Sequence, residues 1–120
     1  MKCKPVLRHL LSPDLTMLSG DSFSRDACSV CVQAIIGPSD SPGEESFDFL
    51  VVNSKWVDEK ARAGLLSLRH VFVMDEFDIG EIERFWIDLC SSISGSSWDD
   101  VAHVLARYGH WEFEDYAESK

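Results

Sequence analysis

The apolar residues change period once along the chain, and that change most restricts the possible fold. Residues 29–36, 46–53 and 70–74 alternate apolar side chains with a period of two, whereas 79–94 and 97–108 repeat at 3.6. Period two sends neighbouring side chains to opposite faces of a strand, and period 3.6 draws a stripe along one side of a helix. Strands first and helices last predict an α+β fold, an antiparallel β-sheet covered by two C-terminal amphipathic helices. A chain of 120 residues has side chains for one core, so a single domain over 1–120 is expected.

The segment SVCVQAII (29–36) is the clearest strand, rich in β-branched residues and stopped by Gly37-Pro38. It sets Val30, Val32, Ala34 and Ile36 on one face and Cys31, Gln33 and Ile35 on the other. SFDFLVVN (46–53) does the same with Phe47, Phe49 and Val51 against Asp48, Leu50 and Val52. The turn-rich GPSDSPGEE between them predicts an antiparallel pair. HVFVM (70–74) is a third strand, KCKPVLRHLL (2–11) a short first one, and SKWVDEKARAG holds a short helix ending at Gly64. Further on, Asp78 and Glu81 have capping-box spacing before a stripe of Ile82, Phe85, Trp86, Leu89 and Ile93. Ser96 or Ser97 caps a last helix with Asp99 and Asp100 in its first turn, Trp98, Val101, Leu105 and Tyr108 inward, and Gly109 as its stop. Phe85, Leu89, Val101 and Leu105 are expected to bury against the sheet.

Charge narrows the functional classes. Eleven bases against 21 acids give a net charge of −10, divided unevenly at Met74: 8 − 9 = −1 before it, 3 − 12 = −9 after it. Such a surface repels phosphate backbones, so direct nucleic-acid binding is not expected, and a basic protein partner suits it better. No apolar run approaches the roughly 18–20 residues that cross a bilayer. MKCKPVLRHL builds no signal-peptide core either, so no membrane contact and a cytoplasmic location are expected.

Residues with reactive side chains do not assemble into a recognisable catalytic set. Cys28 and Cys31 have CxxC spacing, but they fall at a strand rather than at a helix N-terminus, and Cys3 and Cys90 are isolated. His9, His70, His103 and His110 lack ligand spacing, and there is no GxSxG, GxxxxGK[ST] or GxGxxG. The acids Asp75, Glu76 and Asp78, and Glu112, Glu114 and Asp115, do not follow a calcium-loop order. No enzyme activity, cofactor or metal is therefore expected. The tail WEFEDY leaves two readings open: Trp111, Phe113 and Tyr116 pack inward while the acids are solvated, or acids beside an aromatic anchor dock a basic partner.

The runs QAIIGPSDSPGEESFDFLVVNSKW (33–56), IERFWIDLCSS (82–92) and SWDDVAHVLARYGHWEFEDY (97–116) resemble the immunity protein 8 family of bacterial polymorphic toxin systems. The resemblance spans roughly residues 6–116 and is most specific at IGP with GEESFDF, at Trp56, and at GHWEFEDY. It implies a cytoplasmic immunity protein that binds and neutralises the C-terminal domain of a secreted or contact-delivered toxin, such as a nuclease, by covering its active or substrate-binding surface. It marks Gly37, Glu45, Phe47, Trp56, Trp111 and Glu112 as framework or contact positions. The family's Thr-Pro-Lys-Trp-Leu segment reads Asn53-Ser54-Lys55-Trp56-Val57 here, without the proline. Asp75, Glu76, Asp78, Glu112, Glu114, Asp115 and Trp111 are the candidate toxin-binding residues, with Gly37, Glu45, Phe47 and Trp56 as candidate framework. The alternatives are an acidic interaction or scaffold module and a small enzyme of unknown activity.

Overall fold

A computed structural model describes residues 2–12, 23 and 25–113. The strands are β1 (Pro5–Leu11), β2 (Ser29–Pro38), β3 (Glu45–Val52), β4 (Val71–Val73) and β5 (His110–Trp111). The helices among the described residues are α1 (Ser54–Ala63), α2 (Ile79–Ser92) and α3 (Trp98–Leu105). β1, β2 and β3 run antiparallel to their neighbours in that order, with Ala34 opposite Phe47 and Val32 opposite Phe49. The other edge of β3 carries two short strands end to end. β4 pairs with Leu50, Val51 and Val52, and β5 pairs with Phe47 and Asp48.

Two features of the expected fold are corrected. The sheet is mixed, because β4 runs parallel to β3, and the described helices number three rather than two. Both differences have one cause. A hairpin can only return a chain antiparallel, so a parallel neighbour requires a crossover back to the starting end. Here α1 and residues 64–70 form that crossover. Alternation assigns the faces of each strand but not the direction in which the next one enters.

The faces themselves follow the alternation. Val30, Val32, Ala34, Ile36, Phe47, Phe49 and Val51 are buried together with residues of α2 and α3. In α2 the buried line is Ile82, Trp86 and Cys90, continued by Ile93 beyond its end. Phe85 is 38% exposed and Leu89 is half-buried, so the expected stripe is rotated by part of a turn. The sulfur of Cys90 takes a position that a stripe of larger residues was expected to fill. In α3, Val101 and Leu105 are buried as expected, together with Ala102 and Ala106, while Trp98 and Tyr108 are half-buried.

The caps fix where these helices begin. The Asp78 carboxylate accepts from the backbone N–H groups of Gly80 and Glu81, and Ser97 Oγ accepts from Asp100 N–H. Two glycines permit close approaches. A Cβ on Gly37 would lie 2.0 Å from the Gly43 carbonyl oxygen, and one on Gly109 would lie 3.0 Å from Phe47 Cβ. His70 enters β4 with φ of 60°, an uncommon backbone state for this residue, and its Nε2 bonds the Ala106 carbonyl at 2.7 Å. That bond ties the start of β4 to the end of α3.

Leu105→Ala is expected to cost about 2–5 kcal/mol of folding stability, because it empties a fully buried site. Ile87→Ala, on the 49% exposed side of α2, is expected to stay within about 0.5 kcal/mol. Urea denaturation of both variants checks the helix registers, and equal losses would refute them.

Candidate interaction surface

The residues singled out in the sequence gather at the two ends of β3 and do different work at each. At its N-terminal end, Glu45 Oε1 accepts from both indole N–H groups, Trp98 Nε1 at 2.8 Å and Trp111 Nε1 at 2.7 Å. Trp111 is 7% exposed, stacks on Phe47 with ring centroids 6.4 Å apart, and meets Phe113 edge-on at 5.9 Å. Glu112 Oε1 accepts from Ser46 N–H at 2.8 Å, and Glu112 N–H returns a bond to the Ser46 carbonyl at 3.2 Å. Gly37 lies at this same end, since its neighbour Ile36 pairs with Glu45. Glu45, Phe47, Trp111 and Glu112 thus form one joint that fastens β5 and α3 to the sheet, while Gly37 serves the β2–β3 turn through its close approach to Gly43.

At the C-terminal end stands Asn53, a polar side chain only 1% exposed. Its Oδ1 accepts from Cys28 N–H at 3.1 Å and from Trp56 N–H at 3.0 Å. Its Nδ2 donates to the carbonyls of Phe23 and Asp26. Read from the sequence, Asn53 is the end of a strand and the first residue of the Asn53-Ser54-Lys55-Trp56-Val57 segment, with no buried role. The available signal was its position before a helical run, where Asn is a favoured N-cap. Trp56, half-buried in the first turn of α1, has Lys60 Nζ 5.7 Å from its ring centroid.

Asp75 sits beside this second end and accepts from Ser54 N–H at 2.8 Å. That backbone bond, then the Ser54 hydroxyl, and then the Lys55 charge hold its carboxyl below the ordinary 3.8. Glu76 and Asp78 are exposed, and Asp78 caps α2 as described. Asp75 and Glu112 therefore lie at opposite ends of β3, bonded to residues 54 and 46, roughly 25 Å apart along the strand direction. The two acidic groups expected from the sequence are not one patch. Glu114 and Asp115 lie outside the described residues.

Reactive groups stay dispersed. Burial pushes the Cys90 thiol up to about 11, which keeps it protonated and unreactive near neutrality. Cys31 is exposed on a strand, Cys28 precedes it, and Cys3 bridges to Gly95 by backbone pairing. Among the described residues no three His, Cys, Asp or Glu side chains converge as a metal site. No helix of the described residues is long and apolar enough to cross a membrane.

Two concavities flank the outer strands. One of about 180 Å³ is basic, lined by Arg69, His103, Ala106, Arg107 and Trp111. The other, of about 130 Å³, is apolar with an acidic rim, lined by Phe72, Val73, Met74, Glu81, Ile82 and Phe85. None of Phe72, Val73 and Phe85 reads from the sequence as a surface residue for a partner.

Glu45→Ala, which leaves two indole donors without their shared acceptor, is expected to cost about 1.5–3 kcal/mol, with Glu45→Gln costing less because an oxygen remains. Tryptophan-monitored unfolding of the pair checks this, and equal costs would argue against the shared oxygen. Asp75 is expected to titrate with a midpoint below 3.8 in the folded chain. A depressed carboxyl supports the fold above its unfolded pKa, and that support is lost as pH falls through the folded value. Ser54→Pro, a proline tolerated at the first helical position, removes the donor and is expected to move the midpoint upward in a carboxyl NMR titration.

No curated protein and no solved structure matches the chain. The model of the family described as Immunity protein 8 matches residues 8–116, nearly the whole chain. Proteins of that family are non-catalytic and act on a cognate toxin. The chain belongs to the Immunity protein 8 family.

Proposed function

We propose that this protein protects its bacterial cell by binding the C-terminal domain of a cognate toxin in a 1:1 complex. The complex covers the toxin's active or substrate-binding surface, and it forms in the cytoplasm where the toxin acts. The family match over residues 8–116 carries this reading.

The charge distribution supports a basic toxin domain, a nuclease above all, since an enzyme that handles phosphates needs a positive cleft. The half-chain after Met74 has a net charge of −9 and is suited to enter one. The direction of that field matters as much as its sum. The basic concavity around Arg69 and Arg107 is a poor neighbour for such a cleft, whereas Asp75, Glu76, Asp78, Glu81 and Glu83 are exposed acids that suit it. Asp75 and Asp78 also hold helix ends, so the acids available for steering alone are Glu76, Glu81 and Glu83.

The test pairs the protein with the toxin domain encoded beside its gene. Wild type is expected to inhibit the toxin completely at saturation and to rescue growth of cells that express it. Glu76→Gln combined with Glu83→Gln is expected to slow association several-fold at low salt and to flatten its salt dependence. A fully active toxin in a saturated complex would overturn occlusion, and a salt-independent association rate would overturn steering.

A further inference from the structure

The sheet has two outer edges that are built differently. On β1, Pro5 removes a donor, the register breaks between Leu7 and His9, and Lys4, Arg8 and His9 place polar or charged groups along the strand. Those are devices that discourage another strand from pairing there. The Arg8 guanidinium also folds onto the Pro38 and Ser41 carbonyls. β4 has none of these devices: its residues are Val71, Phe72 and Val73.

Hydrogen bonding fixes which way β4 faces. The His70 carbonyl accepts from Leu50 N–H, and Met74 N–H donates to the Val52 carbonyl, so residues 70, 72 and 74 turn their backbone groups toward β3. The N–H and C=O groups of Val71 and Val73 therefore point away from the sheet. Among the described residues no strand pairs with that side of β4.

Beside this edge lies the apolar concavity of about 130 Å³. Its wall is a packed aromatic set, with Phe72 centred 4.7 Å from Phe49 and 5.0 Å from Phe85, and Phe85 centred 5.8 Å from Tyr108. Val73 is 52% exposed, and Ile79 at the start of α2 is 37% exposed. Residues 75–88, which supply Glu81, Ile82 and Phe85 to its lining, carry six acids and one base, Arg84.

We propose that β4 is the edge to which the toxin domain adds a strand. The incoming segment is extended and alternates apolar side chains with Lys or Arg. It hydrogen-bonds the backbone of Val71 and Val73, sets its apolar side chains against Phe72 and Phe85, and aims its bases at Glu76 and Glu81. The inference rests on the immunity reading and adds the surface and the mode of recognition. Strand addition takes affinity from main-chain bonds and specificity from side-chain pockets, and a three-residue edge leaves much of the discrimination to the groove and its charges. A second copy of this chain is the wrong occupant, because pairing β4 with β4 brings the same acids face to face.

Residue-resolved amide exchange on the intact chain, free and saturated with a catalytically inactivated form of the toxin domain encoded beside its gene, tests this. Val71 and Val73 amides are expected to slow at least about tenfold in the complex, while amides on β1 keep their rates. Val73→Pro deletes an outward N–H and spares the bonds to β3, and Glu81→Lys reverses a rim charge. Each is expected to weaken binding at least about tenfold while leaving the circular dichroism of the free protein unchanged. Unchanged exchange at Val71 and Val73 in a complex that still neutralises the toxin would overturn the edge and leave the immunity reading standing. Failure of wild type to bind the toxin at all would overturn both. Protection of the two amides in the free chain at high concentration, with a dimer in solution, would overturn the choice of partner.

Discussion

The buried amide of Asn53 is the contact on which the arrangement of this protein turns. An asparagine side chain offers two donor hydrogens and an oxygen able to accept twice, and here both ends are used. A polar group that is 1% exposed and left unpaired would destabilise the fold, so a complete set of partners is what allows it to sit there. The same four bonds bring the segment before β2 to the end of β3 and begin α1 at Ser54. A helix starting at that point leads the chain into a crossover rather than a hairpin. The parallel β4, and the outer edge it presents, are consequences of that turn.

The other end of β3 is held by a carboxylate. Glu45 receives two indole donors on one oxygen from residues 53 and 66 positions away in sequence. Charge-assisted bonds to an ionised acceptor are stronger than neutral ones, and both of these reach across the fold rather than along it. With Gly109 letting β5 approach Phe47 and Glu112 bonding Ser46, the joint closes the sheet edge beyond β4. β3 is thereby clamped at both ends, and the edge space between its clamps is shared by two short strands.

This layout sorts the acids by task. Asp75 and Asp78 spend their carboxylates on the first backbone N–H groups of α1 and α2, where the helix dipole favours negative charge. Glu45 and Glu112 fasten the terminal strand. Glu81 remains as exposed charge on the rim of the apolar groove, and Glu76 and Glu83 as exposed charge outside its lining. A formal charge of −10 is thus partly internal wiring and partly a field with a direction, balanced at one corner by Arg69 and Arg107.

Whatever depends on neighbours within a few residues was legible in the sequence. Alternation assigned the faces of Val30, Val32, Ala34 and Ile36 and of Phe47, Phe49 and Val51, and Asp78 and the pair Ser96 and Ser97 marked helix starts, with Ser97 the cap in the structure, because strand pleat and capping are local geometry. The family resemblance, too, was carried by residues readable in order, IGP, GEESFDF and GHWEFEDY. Long-range pairing was not legible. Nothing near Glu45 announces Trp98 or Trp111, nothing near Asn53 announces Cys28, and nothing in VFV says that its neighbour runs parallel. Phe85 reads as core from its helical position, yet it lines an exposed groove because Ile82, Trp86 and Cys90 already fill the space beneath α2. Local sequence determines which face of an element is apolar. Only the tertiary structure decides which element meets that face and which apolar groups are left at the surface, since those depend on contacts between residues that the chain separates by dozens of positions.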